Sequence, residues 1–469
     1  MSTRPLWLSS LPAIVEPNQI ASERARVNDY AVDGCLPQAI VYPETFDQVA
    51  AVLRWAQTEK LAVLPWGSGT LITLGAPPER LDLVLSTSRL QRIGEYDAAN
   101  FTLTAEAGVS FSQVAGLVAG HMQTLPLQYA FSPATLGGII ATNAESPKRL
   151  RYGGVRDLLL GMRIALPSGE IAHFGGKVVK NVAGYDMCKL FLGSLGALGV
   201  ILEATFKLYT VPERDDTLLA VFSSLPQAAA AVAQLITTPL LPSQILLLNW
   251  LAAHASAPSV AAEITAGGAL LLVNFEGLDE AVERQLSELS QMCRRHGSQR
   301  LEVLSGEAQL QLRQRLEAAT RYAVDKMRVG SPHPSPHEAE GMGDGTLVVR
   351  LGTLPSRVHT VMDSVAQVLT PLASHTSIVG DCGLGLVRLC VRGLAVSAVH
   401  ERLVGAVREL PRLVAADGGY VVVEAAPPDV KQHVDVWGPP PSAFALLKAL
   451  KRKFDPEGIL NPGRFIGGL

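Results

Sequence analysis

The sequence predicts an α+β chain of two unlike halves, and three observations point to it. Up to about residue 213, helical and strand patterns alternate with glycine-rich joints between them. Over residues 217–424 the order strand–helix–strand–strand–helix–strand occurs twice. The tail, residues 439–468, then returns to a helix and a turn.

Taken in order, residues 45–60 carry Val49, Val52, Leu53 and Ala56 at helical spacing, with Thr45 and Gln48 placed for a capping box. Residues 61–65 form a short buried-strand pattern that runs straight into PWGSGT. Residues 81–87 and 102–108 read as further strands, and Ser110 opens a short helix with Gln113 at its capping-box position. Pro167-Ser168-Gly169-Glu170 signals a hairpin, and 200–209 a strand. The first six-element unit is 217–223, 225–236, 244–249, 269–276, 279–296 and 300–304. The second is 346–351, 356–369, 375–379, 385–391, 395–410 and 419–424. No sequence identity links the two, so the repeat of split βαβ, ferredoxin-like units in one sheet rests on element order. Between them, residues 329–344 are rich in Pro, Gly and Ser and read as a mobile loop. Proline-rich 425–441 carries the chain back, 444–450 is helical, and NPGRF is a turn that docks the chain end.

The bulk numbers narrow the function classes. The 469 residues are 48% hydrophobic and 18% charged, with a formal net charge of -3, an ordinary globular balance. No basic run with interleaved aromatics occurs, which argues against a nucleic-acid partner. The first residues show no signal-peptide pattern, and the richest apolar stretch, 245–257, is too short to span a bilayer. Cys35, Cys188, Cys293, Cys382 and Cys390 are scattered, which fits buried thiols in a reducing compartment and excludes an iron–sulfur cluster of the chain's own. The expectation is a cytoplasmic protein, peripheral to the inner membrane only through a partner.

Three glycine clusters carry the chemistry. In Trp66, Gly67, Ser68, Gly69, Thr70 and Leu71, the glycines permit positive φ and close approach of N–H groups to phosphate, and the hydroxyls add donors. No amphipathic helix follows, so this is a phosphate-cradling loop of neither Rossmann nor Walker type, or else a plain turn. The second cluster begins at Pro133 and holds Thr135, Leu136, Gly137, Gly138, Ala141, Thr142 and Asn143, followed by Arg149, Arg151 and Arg156. It reads as a second anion-facing segment or as a turn before a solvated basic face. In the third, Gly193, Gly196 and Gly199 are spaced by three before the strand residues Val200 and Ile201.

The order PWGSGT, TLGG with a nearby RYG, GYD, GSLGALGVI and NPGRF resembles the FAD-binding domain of vanillyl-alcohol-oxidase-type flavoproteins. RLRYGGVRDLLLG, FGGKVVKNVAGYD and FDPEGILNPGRF are similar to FAD-binding subunits of bacterial glycolate oxidases. The resemblance implies a two-subdomain FAD-binding domain over 37–213, divided near 95, after an extension of residues 1–36. It implies a cap over 214–428 and a segment 429–469 that packs back on the FAD domain. It further implies that Trp66 to Leu71 bind the FAD diphosphate. Pro133, Thr135, Leu136, Gly137, Gly138, Ala141, Thr142 and Asn143 would run along it toward the flavin. Tyr152 and Gly153 would lie beside the cofactor, and the Val200 and Ile201 backbone at its adenine side. Lys180 and Asn181 would face the flavin ring.

Departures from the family pattern bear on function. The glycine loop has no histidine for covalent attachment, and His121 is the nearest one after it, so FAD is expected to be noncovalent. Leu195 and Ala197 stand where many relatives have Glu and Thr. The relatives' histidine-rich metal sequence, near residues 379–386 here, keeps Gly380-Asp381 without flanking histidines. His375 reads as a partly buried surface histidine, and His333 and His337 lie in a loop where their spacing has no fixed geometry, so no metal site is expected.

The cationic candidates are Lys180, Arg156 and Arg464, the last placed by the tail turn for docking or for an anion. The resemblance thus implies an FAD-binding subunit of a glycolate-oxidising complex. A paralogous catalytic flavoprotein and an iron–sulfur subunit would be its partners, and a small 2-hydroxy acid the substrate of the complex. The alternatives are a self-sufficient 2-hydroxy-acid dehydrogenase using Lys180 or Tyr185, and a scaffold that has lost FAD.

Overall fold

The computed structural model describes residues 6–127, 133–176, 185–320, 346–369, 371–372, 375–392, 394 and 396–469. Its first sheet has the strand order Ile20–Ala21, Ala39–Val41, Leu83–Ser86, Val63–Trp66, the last three parallel. Parallel strands need a crossover, and the helix Phe46–Glu59 supplies one. Thr45 caps that helix by accepting from the Gln48 N–H. The Gln48 side chain is drawn away toward Gln19 and accepts from Glu44 N at 2.8 Å, so the expected capping box is only half formed. At Ser110 and Gln113 both halves of the box are present.

The second sheet is antiparallel, in the order Ile93–Asp97, Thr102–Glu106, Val200–Lys207, Leu159–Ala165, Ile171–Gly175. The expected hairpin turn joins its last two strands, with Gly169 at φ 79°. One core is shared between the sheets: Val49, Leu53, Val63 and Leu85 pack with Val200 and Leu202. Ile459 and Leu460 of the tail enter the same core, which fixes the chain end to the first sheet.

All eight strands of the third sheet are antiparallel to their neighbours. Their order is Arg300–Leu304, Arg214–Phe222, Ala269–Gly277, Gln244–Asn249, His375–Asp381, Leu386–Arg392, Leu347–Gly352, Tyr420–Ala425. Two βαββαβ units therefore share one sheet, joined where Leu246, Leu247 and Leu248 pair with Asp381, Gly380 and Val379. Helices Leu225–Ile236, Asp279–Arg295, Val358–Leu369 and Val396–Ala415 bury their apolar faces in one large core.

The opposite face is covered by Trp250–Ser256, Pro258–Ala261 and Gly306–Thr320, which apolar periodicity does not disclose. The first two are short and bury mainly alanines. In the third, only Leu312, Leu316, Ala319 and Gln309 are buried among the described residues. Among the described residues no helix is long and apolar enough to cross a membrane.

Candidate functional site

The strand Val63–Trp66 ends in the first glycine loop. Among the described residues, the backbone N–H groups of Gly67, Ser68, Gly69, Thr70 and Leu71 donate to no protein acceptor. Five consecutive free donors form an anion-binding concavity of the kind that phosphate fills. A Cβ on Gly67 would stand 2.3 Å from Thr135 Oγ1, so only glycine lets the two expected segments touch. Gly69, at φ 77°, packs on the Trp66 ring, where a Cβ would lie 2.7 Å from Cζ2.

Thr135 caps the helix Leu136–Thr142 through Gly138 N, at 3.3 Å. The Leu136 and Gly137 N–H groups bond instead to Val109 O and Ala107 O, both at 2.9 Å. Gly137 is thus a close-packing residue against Ala107, whereas Gly138, Ala141 and Thr142 line the cleft opposite the loop. The third glycine cluster finishes this helix. Gly193 N donates to Ile140 O at 2.9 Å and Leu195 N to Ala141 O at 2.8 Å, with Leu195 itself at φ 53°.

The tail closes the third wall. Val63 N donates to Ile459 O and Asn461 N to Val63 O, which extends the first sheet by one bridge. The Asn461 amide donates to Leu195 O, while its buried Oδ1 has no partner among the described residues and lies on the cleft. Lys451 donates to Ala197 O at 2.8 Å and to Asp455 at 2.6 Å. Arg464 is buried and lines the cleft; burial lowers its guanidinium to about 10, so it stays charged at neutral pH. Docking and a cleft position, set as alternatives for Arg464 by the sequence, are both found. The cleft spans about 720 Å³ of space between the atoms, part of it open to solvent.

Other expected residues lie elsewhere. Val200 and Ile201 are buried, and their backbones pair with Ala165 and Ile164 rather than opening to the cleft. Asn143 is exposed and ends the helix at φ 44°. Pro133 precedes the cleft residue Ala134. Tyr152 donates to Glu276 Oε2 at 3.0 Å, so it ties the short helix Arg149–Tyr152 to the third sheet, and the Gly153 Cβ position is filled by Asp157. Tyr185 is 95% exposed and Arg156 is exposed, so neither reaches a cleft. His375 is exposed rather than partly buried, since it stands at the outer end of its strand. Lys180, Asn181, His333 and His337 lie outside the described residues.

A second cleft, about 760 Å³, begins where the first ends: Ala144 lines one, and Glu145, Ser146 and Pro147 the other. It faces the third sheet. Arg350 and Arg388 each meet both Glu145 and Glu424, at 2.9 Å for Arg350–Glu424, 3.1 Å for Arg388–Glu145 and 3.3 Å for Arg388–Glu424, which makes a closed ring of ion pairs. Arg313 is held by Asp215 at 2.7 Å. Burial pushes Asp215 up, but Lys148 and Arg313 override it and hold its carboxyl at about 2. Asp381 also lines this cleft, with Gly383 N and Leu384 N donating to Oδ1 at 3.0 and 3.1 Å. Burial raises its carboxyl to about 7. No motif in the sequence marks Arg313, Arg350, Arg388 or Glu145 as cleft residues. Strand alternation could have placed Arg350 and Arg388 at half-buried positions in otherwise apolar strands.

Comparison with known proteins bears on the identity of the site. Residues 37–175 match the family described as FAD binding domain, and 211–337 with 439–465 match FAD linked oxidases, C-terminal domain. The chain is 27% identical over 433 residues to "Glycolate oxidase subunit GlcD" of Bacillus subtilis, spanning 92% of this chain and 89% of that one. A "D-lactate dehydrogenase" of Archaeoglobus fulgidus is 34% identical over 249 residues, spanning 52% of this chain and 55% of its own length. The fold is similar to that of p-cresol methylhydroxylase, with a TM-score of 0.75 and 17% identity over 98% of this chain and 96% of that one. Free loop amides, the glycine-only contact with Thr135 and an unpartnered Asn461 oxygen fit a diphosphate-bearing cofactor. With an FAD binding domain matched at 37–175 and the C-terminal domain of FAD linked oxidases at 211–337 and 439–465, the chain is an FAD-dependent oxidoreductase.

Proposed function

We propose that this chain is the FAD-binding subunit of a glycolate-oxidase-like complex that oxidises a small 2-hydroxy acid and passes electrons to an iron–sulfur partner. Gly67 to Leu71 hold the FAD diphosphate through backbone N–H groups. Gly138, Ala141 and Thr142 flank it, and the path from Ala144 to Glu145 leads from that cleft to the second one. Bound FAD supplies the acceptor for hydride from the substrate carbon.

The subunit role rests on one observation: each arginine of the second cleft already holds a carboxylate of the chain itself. A substrate carboxylate would have to displace Glu145 or Glu424 from a buried ring, which is costly. Oxidation then falls to a paralogous flavoprotein subunit. The scattered cysteines leave the iron–sulfur centre to another partner, and membrane contact likewise comes through a partner of a cytoplasmic complex.

Asp381 favours a second reading, a self-sufficient 2-hydroxy-acid dehydrogenase. Its carboxyl, raised to about 7, lines the same cleft and has a proton affinity suited to a general base. Mixing the FAD-loaded chain alone with glycolate or D-lactate in a stopped-flow spectrometer separates the two. A flavin band that persists until the partner subunits are added supports the subunit reading. Prompt bleaching that Asp381→Asn abolishes selects the dehydrogenase.

A further inference from the structure

Carbonyl oxygens beyond the glycine loop are sorted between two buried cations. Arg464 donates to Ile72 O, to Leu74 O at 2.8 Å and to Ala76 O at 3.4 Å. Lys431 donates to Thr73 O and to Gly75 O at 3.2 Å. Five consecutive carbonyls are thus taken alternately by a guanidinium and an ammonium, directly after five consecutive N–H groups that have no protein partner. Lys431 is balanced by Asp33 at 2.9 Å. Arg464 has no carboxylate within ion-pairing distance among the described residues, although it is 3% exposed and lines the cleft.

A peptide unit joins the C=O of one residue to the N–H of the next on opposite sides, so the clamped carbonyls of residues 72–76 fix the amides that follow them. Their hold reaches back into the loop through Ile72 N, which donates to Gly69 O at 3.1 Å and so turns the Thr70 N–H, on the same peptide unit, the opposite way. The last 40 residues of the chain therefore set the polarity of a loop near its beginning. Asp33, paired with Lys431, acts on Arg464 only from beyond ion-pairing distance, so two cations share one carboxylate and leave a net positive charge beneath the loop, which a bound anion would compensate.

We propose that Arg464, seconded by Lys431, is a positioning residue for the diphosphate site: it gathers the carbonyls of residues 72–76 so that the amides of residues 67–71 face the cleft. The inference rests on FAD occupying that cleft, not on the substrate or the partners. It extends to any diphosphate, because the loop offers backbone donors and no base or ring recognition of its own.

The test uses the full chain stripped of flavin, with FAD affinity read from quenching of flavin fluorescence and inorganic pyrophosphate as competitor. Arg464→Gln should raise the FAD Kd and the pyrophosphate inhibition constant by the same factor, at least tenfold, well below its own Tm. Arg464→Lys, which keeps the charge but has a single nitrogen for three carbonyls, should recover most of that loss. Should Arg464→Gln not fold, a two- to fivefold weakening of both ligands in Arg464→Lys carries the same information. Unchanged affinities in a folded variant with a lowered Tm would show that Arg464 only docks the tail, and the proposal falls. It also falls when pyrophosphate fails to compete with FAD in the unsubstituted chain. If FAD itself does not bind the unsubstituted chain, the cleft assignment fails before the clamp is reached.

Discussion

At the scale of single residues, Asp381 has the most legible chemistry. Its carboxyl is buried at the junction of the two βαββαβ units and is raised to about 7; burial is the main cause, Glu145 adds to it, and Arg388 with the Gly383 and Leu384 N–H groups opposes it. Its ordinary value is about 4, so folding favours the protonated form. This contribution to stability is whole below about pH 4 and is lost as pH rises through about 7. Asparagine keeps the Oδ1 acceptor and cannot ionise. Urea unfolding at pH 5 and pH 8 should find that Asp381→Asn gains on the parent chain by roughly 2 kcal/mol across that interval, by linkage. A difference that does not change with pH would contradict the shifted carboxyl.

Between elements, the decisive contact is the first glycine loop against the cap of helix Leu136–Thr142. Gly67 has no room for a Cβ, because Thr135 Oγ1 would lie 2.3 Å away and is itself held by Gly138 N. Gly67→Ala must either push the loop off the helix or break the cap, which is worth about 1 kcal/mol. The FAD Kd should rise at least tenfold in a chain that remains folded, read as lost absorbance near 450 nm after gel filtration. Thr135→Ala in the Gly67→Ala background should recover part of the binding, since the two changes act on one contact. Flavin retained at parental occupancy by Gly67→Ala would mean that the loop is not where the diphosphate sits.

Across the whole molecule, the Arg350–Glu145–Arg388–Glu424 ring ties the chain that follows the Leu136–Thr142 helix to three strands of the third sheet. Thr73 adds a bond from the first loop to Glu424 O at 3.2 Å, so the ring and the cofactor loop share a strand. Glu145→Gln removes one charge and leaves two buried guanidinium groups on Glu424. Breaking a buried pair of this kind costs about 3–5 kcal/mol when a charge is left uncompensated. The variant should unfold at lower temperature than the parent and be stabilised by oxalate, which the parent should ignore. Equal responses to oxalate would show that the ring does not govern anion access to the second cleft.

Much of the architecture was readable in the residues. The apolar pattern marks Leu225–Ile236, Gln244–Asn249 and Arg300–Leu304 at their observed limits; the helix buries one face, whereas Gln244–Asn249 is a continuous apolar run buried on both sides of the sheet. Gly306–Thr320 escapes it, since a helix that lies on a sheet with few buried side chains writes little period into its sequence. The glycine loops were visible by composition, yet composition could not tell Gly67, which bounds the cleft, from Gly137, which packs against Ala107; both contacts come from segments distant in the chain. Local side-chain pattern thus determined which elements form, their order, and that an FAD-type loop is present. Only tertiary packing decided which amides stay free, which cations hold the loop carbonyls, and that the second cleft's arginines are already paired. Those outcomes depend on contacts between residues up to 392 positions apart, and no local spacing encodes such a distance.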